Sequence, residues 1–189
     1  LDMSAEEAEE FGQLGHDTLD AIASLRVPTI AAVDGFALGG GLEVALACDL
    51  IYASGRATFG LPEVSLGIIP GFGGTQRLGR RIGWQSAREL IYTARRIDAD
   101  EAESLGLVCD CFEVDNFDDR VREVAEVIAS RAPLAIRAAK SATLIGQDSS
   151  LEDGLSAERE AFSKLFDSSD RREGMEAFVD RRDPEFEGK

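Results

Sequence analysis

The chain has 189 residues, 44% of them hydrophobic, which is enough apolar material for one well-buried core with a smaller appended element. It carries 36 acidic against 20 basic residues, which disfavours nucleic acid and anionic membrane as partners because both bind net basic surfaces. The acid excess is typical of a solvated surface adapted to high salt, with an acidic face for a basic partner as the alternative. No apolar run approaches the ~18 residues that span a bilayer, so we expect a cytoplasmic location.

Cysteine and histidine usage argues against a metal site. Cys48, Cys109 and Cys111, with the single histidine His16, do not form the ligand pattern of a structural zinc site, and we expect no metal and no separate cofactor. Cys109 and Cys111 are two positions apart, so on a strand they share a face and are predicted to be buried thiols. His16 falls within an amphipathic helix and is predicted to lie on its surface.

The first predicted elements alternate between helix and strand. A capping box, Ser4-Ala5-Glu6-Glu7, opens a helix that runs from about residue 5 to residue 25, before Pro28. A buried strand, "TIAAVDG", is followed by a helix, "LEVALAC", and by two further strands, "DLIYAS" and "ATFG". The order strand, helix, strand indicates a parallel, layered α/β arrangement.

The second half of the sequence changes to a helical pattern. A loop rich in glycine and proline precedes helices over about residues 73 to 82 and 84 to 93, and a short helix that stops at Gly106 leads into an edge strand, "LVCDCFEV". From Asn116 onward the pattern is helical, with breaks near Pro133, Gly146 to Ser150, and Ser168 to Asp170. We therefore predict an α/β part over residues 1–114 and a helical part over residues 115–189.

The glycine run in "FALGGGLEVALACD", residues 36–49, is the first candidate site. Its backbone N–H groups could cradle a phosphate, but the Walker pattern and the third glycine of a dinucleotide fingerprint are absent, and Glu43 would face an anion. The same N–H groups can instead stabilise a carbonyl oxygen that becomes negative only during reaction, while Glu43 moves a proton. A glycine turn followed by a solvent-facing helix glutamate is an equally good interpretation of these residues.

A second carboxylate, Glu63, follows the rigid Pro62 in "FGLPEVSLG". A carboxylate in an apolar setting is often desolvated, which favours its neutral form and suits it to acid–base catalysis. The alternative is a loop glutamate in a salt bridge with Arg77 or Arg80. The apolar residues expected around the carboxylate are Leu61, Val64, Leu66, Ile68 and Ile69.

Four segments together resemble the enoyl-CoA hydratase/isomerase family, also called the crotonase family: "VPTIAAVDGFALGGGLEVALACDLIYAS", "ATFGLPEVSLGIIPGFGGTQRLGRRIG", "TARRIDADEAESLGLV" and "DRREGMEAFVDRR". The similarity covers essentially the whole chain and is greatest to hydratases of short 2-enoyl-CoA thioesters. It implies an α/β spiral core of layered parallel strands and helices, with a helical C-terminal region that covers the active site and forms trimers, usually paired into hexamers.

The resemblance also implies roles for individual residues. Gly40 corresponds to the glycine whose N–H binds the thioester oxygen, and Glu43 and Glu63 to the hydratase glutamates. In those enzymes the position of Glu63 delivers the proton to C2, and that of Glu43 acts as base and water anchor. The positions expected to contact the acyl-CoA substrate are Leu38, Gly39, Pro62, Gly71 and Phe178.

Family members that only shift the double bond commonly lack the first glutamate, so the presence of both favours hydration over isomerisation. An isomerase, another acyl-CoA enzyme, and a non-catalytic acyl-CoA-binding or assembly subunit remain the alternatives.

The opening "LDMSAEEA" resembles the segment after the family's A-G-x-D motif, so we expect a longer protein whose upstream part supplies the second oxyanion donor. Arg77 and Trp84 are expected to be structural, with Trp84 in the core. The resemblance also implies Lys189 as a candidate for contact with coenzyme A.

Overall fold

The structure of the protein is a computed structural model that describes residues 2–189. These residues form two compact units. The first comprises residues 2–25 and 29–121, and the second comprises residues 26–28 and 122–189. Both candidate glutamates lie in the first unit.

The first unit opens with helix α1, Ala5–Ala23, as predicted. Its capping box is formed: the backbone N–H of Glu7 donates to Ser4 Oγ at 3.2 Å, and the backbone N–H of Ser4 donates to Glu7 Oε2 at 2.7 Å. These two bonds satisfy donors that have no partner within the helix. Leu19 is buried and His16 is exposed, which confirms the predicted surface position of the histidine.

Six short strands form two small sheets in the first unit. One sheet has the order β1 (Ile30–Val33), β3 (Leu50–Ser54) and β6 (Asp110–Phe112), all parallel. The other has the order β2 (Phe36–Leu38), β4 (Thr58–Gly60) and β5 (Ile97–Asp98), with β2 parallel and β5 antiparallel to β4. The predicted parallel α/β arrangement is confirmed, and β6 is an edge strand as expected. Strands β2 and β5 are absent from the sequence prediction because two or three residues are too few to show a period of two.

Four helices pack with these sheets around one apolar core. They are α2 (Gly40–Ala47), α3 (Gly74–Ile82), α4 (Trp84–Thr93) and α5 (Ala99–Ser104), with 3₁₀ helices at Pro62–Leu66 and Val114–Asn116. The largest fully buried side chains of the core include Ile51, Phe59, Leu61, Leu78 and Leu90. Helix α2 is apolar on most of its surface, so it lies within this core rather than on its outside.

Two predictions of burial are wrong. Trp84 is 45% exposed and is not part of the core. Its ring lies against the backbone of Gly79, since a Cβ built on Gly79 would be 2.2 Å from a ring carbon. The guanidinium carbon of Arg80 lies 5.9 Å from the centre of the same ring. Cys109 precedes β6 and is exposed, and Cys111 is only half-buried. Hydrophobic character alone does not tell which side of a short element faces the core.

The second unit is helical. Helix α6 (Phe117–Ala129) passes from the first unit into it, and α7 (Pro133–Asp148), α8 (Leu151–Leu165) and α9 (Ser169–Asp180) follow. The predicted breaks near Pro133, Gly146 to Ser150, and Ser168 to Asp170 are confirmed, with the second at Ser149 and Ser150. Asp170 is buried and accepts the backbone N–H groups of Glu187 and Gly188, so the chain end is held against α9.

Among the helices of residues 2–189, none is both long and apolar enough to cross a membrane.

Candidate active site

Glu43 is a buried carboxylate that is held by the next helix. It lies in the first turn of α2 and is 2% exposed. Its Oε1 accepts the backbone N–H of Phe72 at 2.8 Å and that of Gly74, the first residue of α3, at 2.8 Å. The first N–H groups of a helix have no intrahelical acceptor and carry partial positive charge. The interpretation of Glu43 as a solvent-facing residue is therefore wrong, because its carboxylate caps α3.

Glycine at position 74 is required by this contact. A Cβ built there would lie 2.9 Å from Glu43 Oε1 and 3.0 Å from side-chain atoms of both Leu61 and Pro70. Gly73, which precedes α3, has a φ of 102°, a conformation that favours glycine. The run Gly71-Phe-Gly-Gly74 thus lets two N–H groups approach one carboxylate oxygen.

Glu63 lies in a different environment. It is the second residue of the 3₁₀ helix that Pro62 opens, and its Oε2 is buried without a hydrogen-bond partner. Burial is the largest cause that raises the pKa of Glu63; a hydrogen bond from its own backbone lowers it, and the negative charge of Glu43 raises it further. Arg77, one proposed salt-bridge partner, instead pairs with Asp20 at 2.6 Å. Glu63 therefore keeps its proton to a higher pH than an exposed glutamate does, because its pKa is raised.

Three of the apolar residues expected around Glu63 are exposed. Leu61 is fully buried, but Leu66, Ile68 and Ile69 are exposed. Of these apolar residues, Leu61 thus belongs to the core and Val64 packs against it, whereas the other three lie at the surface.

The glycine run brings Glu63 to the start of α2. Gly39 precedes the helix with a φ of 55°, and its N–H donates to the carbonyl of Gly60 in β4 at 2.9 Å. A Cβ on Gly39 would lie 3.0 Å from Glu63 Oε1, so the carboxylate rests against this glycine. Next along the chain is Gly40, whose N–H is at the open end of α2 and has no intrahelical acceptor. The structure therefore brings four of the predicted residues together: Gly39, Gly40, Glu43 and Glu63.

The remaining predicted residues are less closely tied to this centre. Leu38 ends β2 directly before the glycine run, and Pro62 directly precedes Glu63. Gly71 is exposed and lies next to Phe72. Phe178 is in the second unit, on α9, and is 85% exposed beside an apolar cavity of about 660 Å³.

The donors Phe72 and Gly74 are absent from the sequence prediction. Their segment resembles the first glycine run, since both runs directly precede a helix and leave its first N–H groups open. That signal indicates an anion site before α3, but it does not show that the anion is Glu43, 31 residues earlier in the chain. Within residues 2–189, no group of three or more His, Cys, Asp or Glu side chains is arranged to hold a metal ion.

Comparison with known proteins defines the family. The family model for enoyl-CoA hydratase/isomerase matches residues 2–189. The chain is 44% identical over 181 residues to a short-chain-enoyl-CoA hydratase of Clostridium acetobutylicum, covering 96% of this chain and 69% of that protein. It is 45% identical over 184 residues to a crotonyl-CoA hydratase of Syntrophomonas wolfei, covering 97% and 71%.

Solved structures agree with the sequence comparison. The crystal structure of an enoyl-CoA hydratase from Bacillus anthracis matches with a TM-score of 0.96 and 43% identity, covering all of this chain and 73% of that one. The chain therefore belongs to the enoyl-CoA hydratase/isomerase family and has the crotonase fold.

We expect Gly74→Ala to destabilise the protein by about 1–3 kcal/mol, because the added methyl group has no space between Glu43, Leu61 and Pro70. Gly71→Ala is the matched control, since nothing lies within 4 Å of its Cβ position. Urea unfolding followed by circular dichroism measures both. Equal free energies of unfolding for the two variants would contradict the packing of Gly74 against the carboxylate.

We expect Glu63→Gln to change how stability depends on pH. The folded-state pKa of Glu63 is raised above its ordinary value of 4.5, so the folded protein binds more protons than the unfolded chain as pH rises from that value. Wild-type stability should therefore fall, relative to Glu63→Gln, as pH rises through the raised pKa. Unfolding free energies from about pH 4 to pH 8 measure this difference. If Glu63→Gln instead lost stability relative to wild type at the upper end of this pH range, the raised pKa of Glu63 would be contradicted.

Proposed function

We propose that this protein adds water to 2-trans-enoyl-CoA thioesters and forms 3-hydroxyacyl-CoA. The observation that carries the proposal is the pairing of two unlike carboxyl groups beside an open helix end. Glu43 is buried and held by two N–H groups, and Glu63 is partly buried with an unpartnered oxygen. The names of the hydratases of Clostridium acetobutylicum and Syntrophomonas wolfei support the same reaction.

The N-terminus of α2 is suited to bind the thioester carbonyl. When water adds to a conjugated thioester, electrons move from the double bond to the carbonyl oxygen, which becomes negative. The N–H of Gly40 is placed to donate to this oxygen, and one such donor is worth about 3 kcal/mol in a transition state. A neutral carbonyl in the ground state is compatible with Glu43 nearby, whereas a phosphate is not.

The two glutamates divide the proton transfers. Glu43 accepts a hydrogen bond from the attacking water and takes its proton as the water oxygen bonds to C3. Glu63, whose pKa is raised mainly by burial, gives its proton to C2 as the enolate collapses. Transfer of the proton from Glu43 to Glu63 restores the starting state, so one water is consumed and no other reactant is needed.

The environments of the two groups support this division of roles. The Glu43 carboxylate accepts two backbone N–H bonds, which hold it in one orientation and suit it to a base that positions water. A desolvated carboxyl group suits an acid. The negative charge of Glu43 adds to this difference by favouring the neutral form of Glu63.

The assembly state is a separate part of the proposal. We infer a homotrimer or a dimer of trimers, which the exposed apolar side chains of the second unit support. Phe162 on α8 and Phe178 and Val179 on α9 are all largely exposed. Large exposed apolar groups at neighbouring positions are typical of surfaces that another subunit covers.

We expect Glu43→Gln and Glu63→Gln each to lower kcat for hydration of crotonyl-CoA by at least about 100-fold, because each removes one proton-transfer group. Glu103→Gln, at an exposed position on α5, is the matched control and should retain wild-type activity. The loss of absorbance of the conjugated thioester measures the reaction. Unchanged activity in Glu63→Gln would overturn the proposal. The protein would be an isomerase instead if the wild type did not hydrate crotonyl-CoA and if Glu43→Ala shifted the double bond of a 3-enoyl-CoA at the wild-type rate.

A further inference from the structure

Phe72 connects the two catalytic features of the site. Its backbone N–H donates to Glu43 Oε1 at 2.8 Å. On one edge of its ring, Cδ2 and Cε2 lie 3.7 Å from the place where a Cβ on Gly40 would be. One residue therefore contacts both the proposed base and the glycine proposed to bind the thioester oxygen.

The opposite edge of the Phe72 ring fills a notch in helix α1. A Cβ built on Gly15 would lie 1.9 Å from Cδ1 and 2.3 Å from Cε1 of Phe72, distances that real atoms do not adopt. The ring therefore occupies the space that any larger side chain at position 15 would need. Phe11, one turn earlier on α1, makes an edge contact with the same ring, with centroids 5.1 Å apart and planes at 65°.

A second contact joins α1 to helix α3, directly after the same loop. Asp20 on α1 pairs with Arg77 at 2.6 Å, and Arg77 Nε lies 3.1 Å from where a Cβ on Gly73 would be. Exposed ion pairs contribute little to stability, so the packed ring is the stronger of the two connections. Helix α1 thus contacts Phe72, which donates to Glu43, and Arg77 of α3, which lies beside Gly73.

Glycine inside a helix costs about 0.5–1 kcal/mol relative to alanine, so its presence in α1 calls for a reason. Helix α1 contains two glycines, Gly12 and Gly15. At Gly12 the nearest atom to a Cβ would be the carbonyl oxygen of Gly71 at 3.8 Å, which is an ordinary contact. Only Gly15 is needed for the fit of a neighbouring side chain.

We propose that Phe72 is a positioning residue whose ring, seated against Gly15 of α1, keeps its N–H on Glu43 and supports the start of α2 at Gly40. The inference rests on the proposed function, in which Glu43 holds and deprotonates water. A side chain at position 15 displaces the ring and with it the peptide that holds Glu43. Helix α1, which contributes no proton-transfer group to the proposed reaction, then determines how well Glu43 is oriented.

The first test compares Gly15→Ala with Gly12→Ala in crotonyl-CoA hydration. Gly15→Ala should lower kcat by about 10- to 100-fold with a much smaller change in KM, since small misplacements of a catalytic group have effects of this size. Gly12→Ala changes the helix propensity of α1 in the same way and should leave kcat unchanged. Wild-type kcat in a folded Gly15→Ala variant would overturn the proposal.

The second test places the same change in a protein without the ring. Phe72→Ala keeps the backbone N–H but removes the ring, and it should lower kcat by about 10-fold because the loop loses its support. In this background Gly15→Ala should cause no further loss, which is the non-additivity expected of residues in contact. If Gly15→Ala alone does not fold, the double variant should still fold and match Phe72→Ala. An equal loss of kcat in both backgrounds, or wild-type kcat in Phe72→Ala, would contradict the proposal.

Glu43→Gln, assayed in parallel, separates this inference from the proposed function. Hydration that survives Glu43→Gln would overturn the proposed function. An inactive Glu43→Gln variant beside a fully active, folded Gly15→Ala variant would overturn only the role of Phe72.

Discussion

The bond between the Glu43 carboxylate and the N-terminus of α3 is the interaction on which the rest of the site depends. A buried, unpaired carboxylate is costly, and Glu43 is almost fully buried in a chain with a large excess of negative charge. The N–H groups of Phe72 and Gly74 compensate that cost without a lysine or arginine. Because the donors belong to the backbone, the bond also fixes α2 relative to the loop before α3.

This arrangement gives two helix ends different uses. The N-terminus of α3 holds the Glu43 side chain, while that of α2 keeps the N–H of Gly40 open for an oxygen that is negative only during the proposed reaction. Glu63, resting against Gly39, is desolvated and has an oxygen without a partner. Two carboxyl groups of the same chemistry are thus placed in different surroundings, and burial raises the pKa of Glu63.

The sequence was informative where the cause of a feature is local. The capping box of α1, the helix after the glycine run and the stiffening effect of Pro62 on Glu63 all follow from a few neighbouring residues. Strands β2 and β5 were missed because their pairing partners, rather than their own composition, define them.

Features that depend on distant parts of the chain could not be predicted from the pattern. The capture of Glu43 by Phe72 and Gly74, and the contact of Phe72 with Gly15, join segments about 30 to 60 residues apart. Trp84 was placed in the core because it is large and apolar, but its ring finds a partner in the backbone of Gly79 at the surface. In each case the deciding contact is a close approach to a glycine, whose importance appears only when the neighbouring atoms are known.

The most direct test of this account is a crystal structure of the protein with bound 3-hydroxybutyryl-CoA, the product of the proposed reaction. The account predicts that the 3-hydroxyl oxygen lies within about 3.2 Å of both Glu43 and Glu63, which is hydrogen-bond distance. It also predicts that the thioester oxygen accepts the N–H of Gly40 at about 2.7–3.1 Å. A product bound with its hydroxyl group away from either carboxylate, or with its thioester oxygen away from Gly40, would contradict the account.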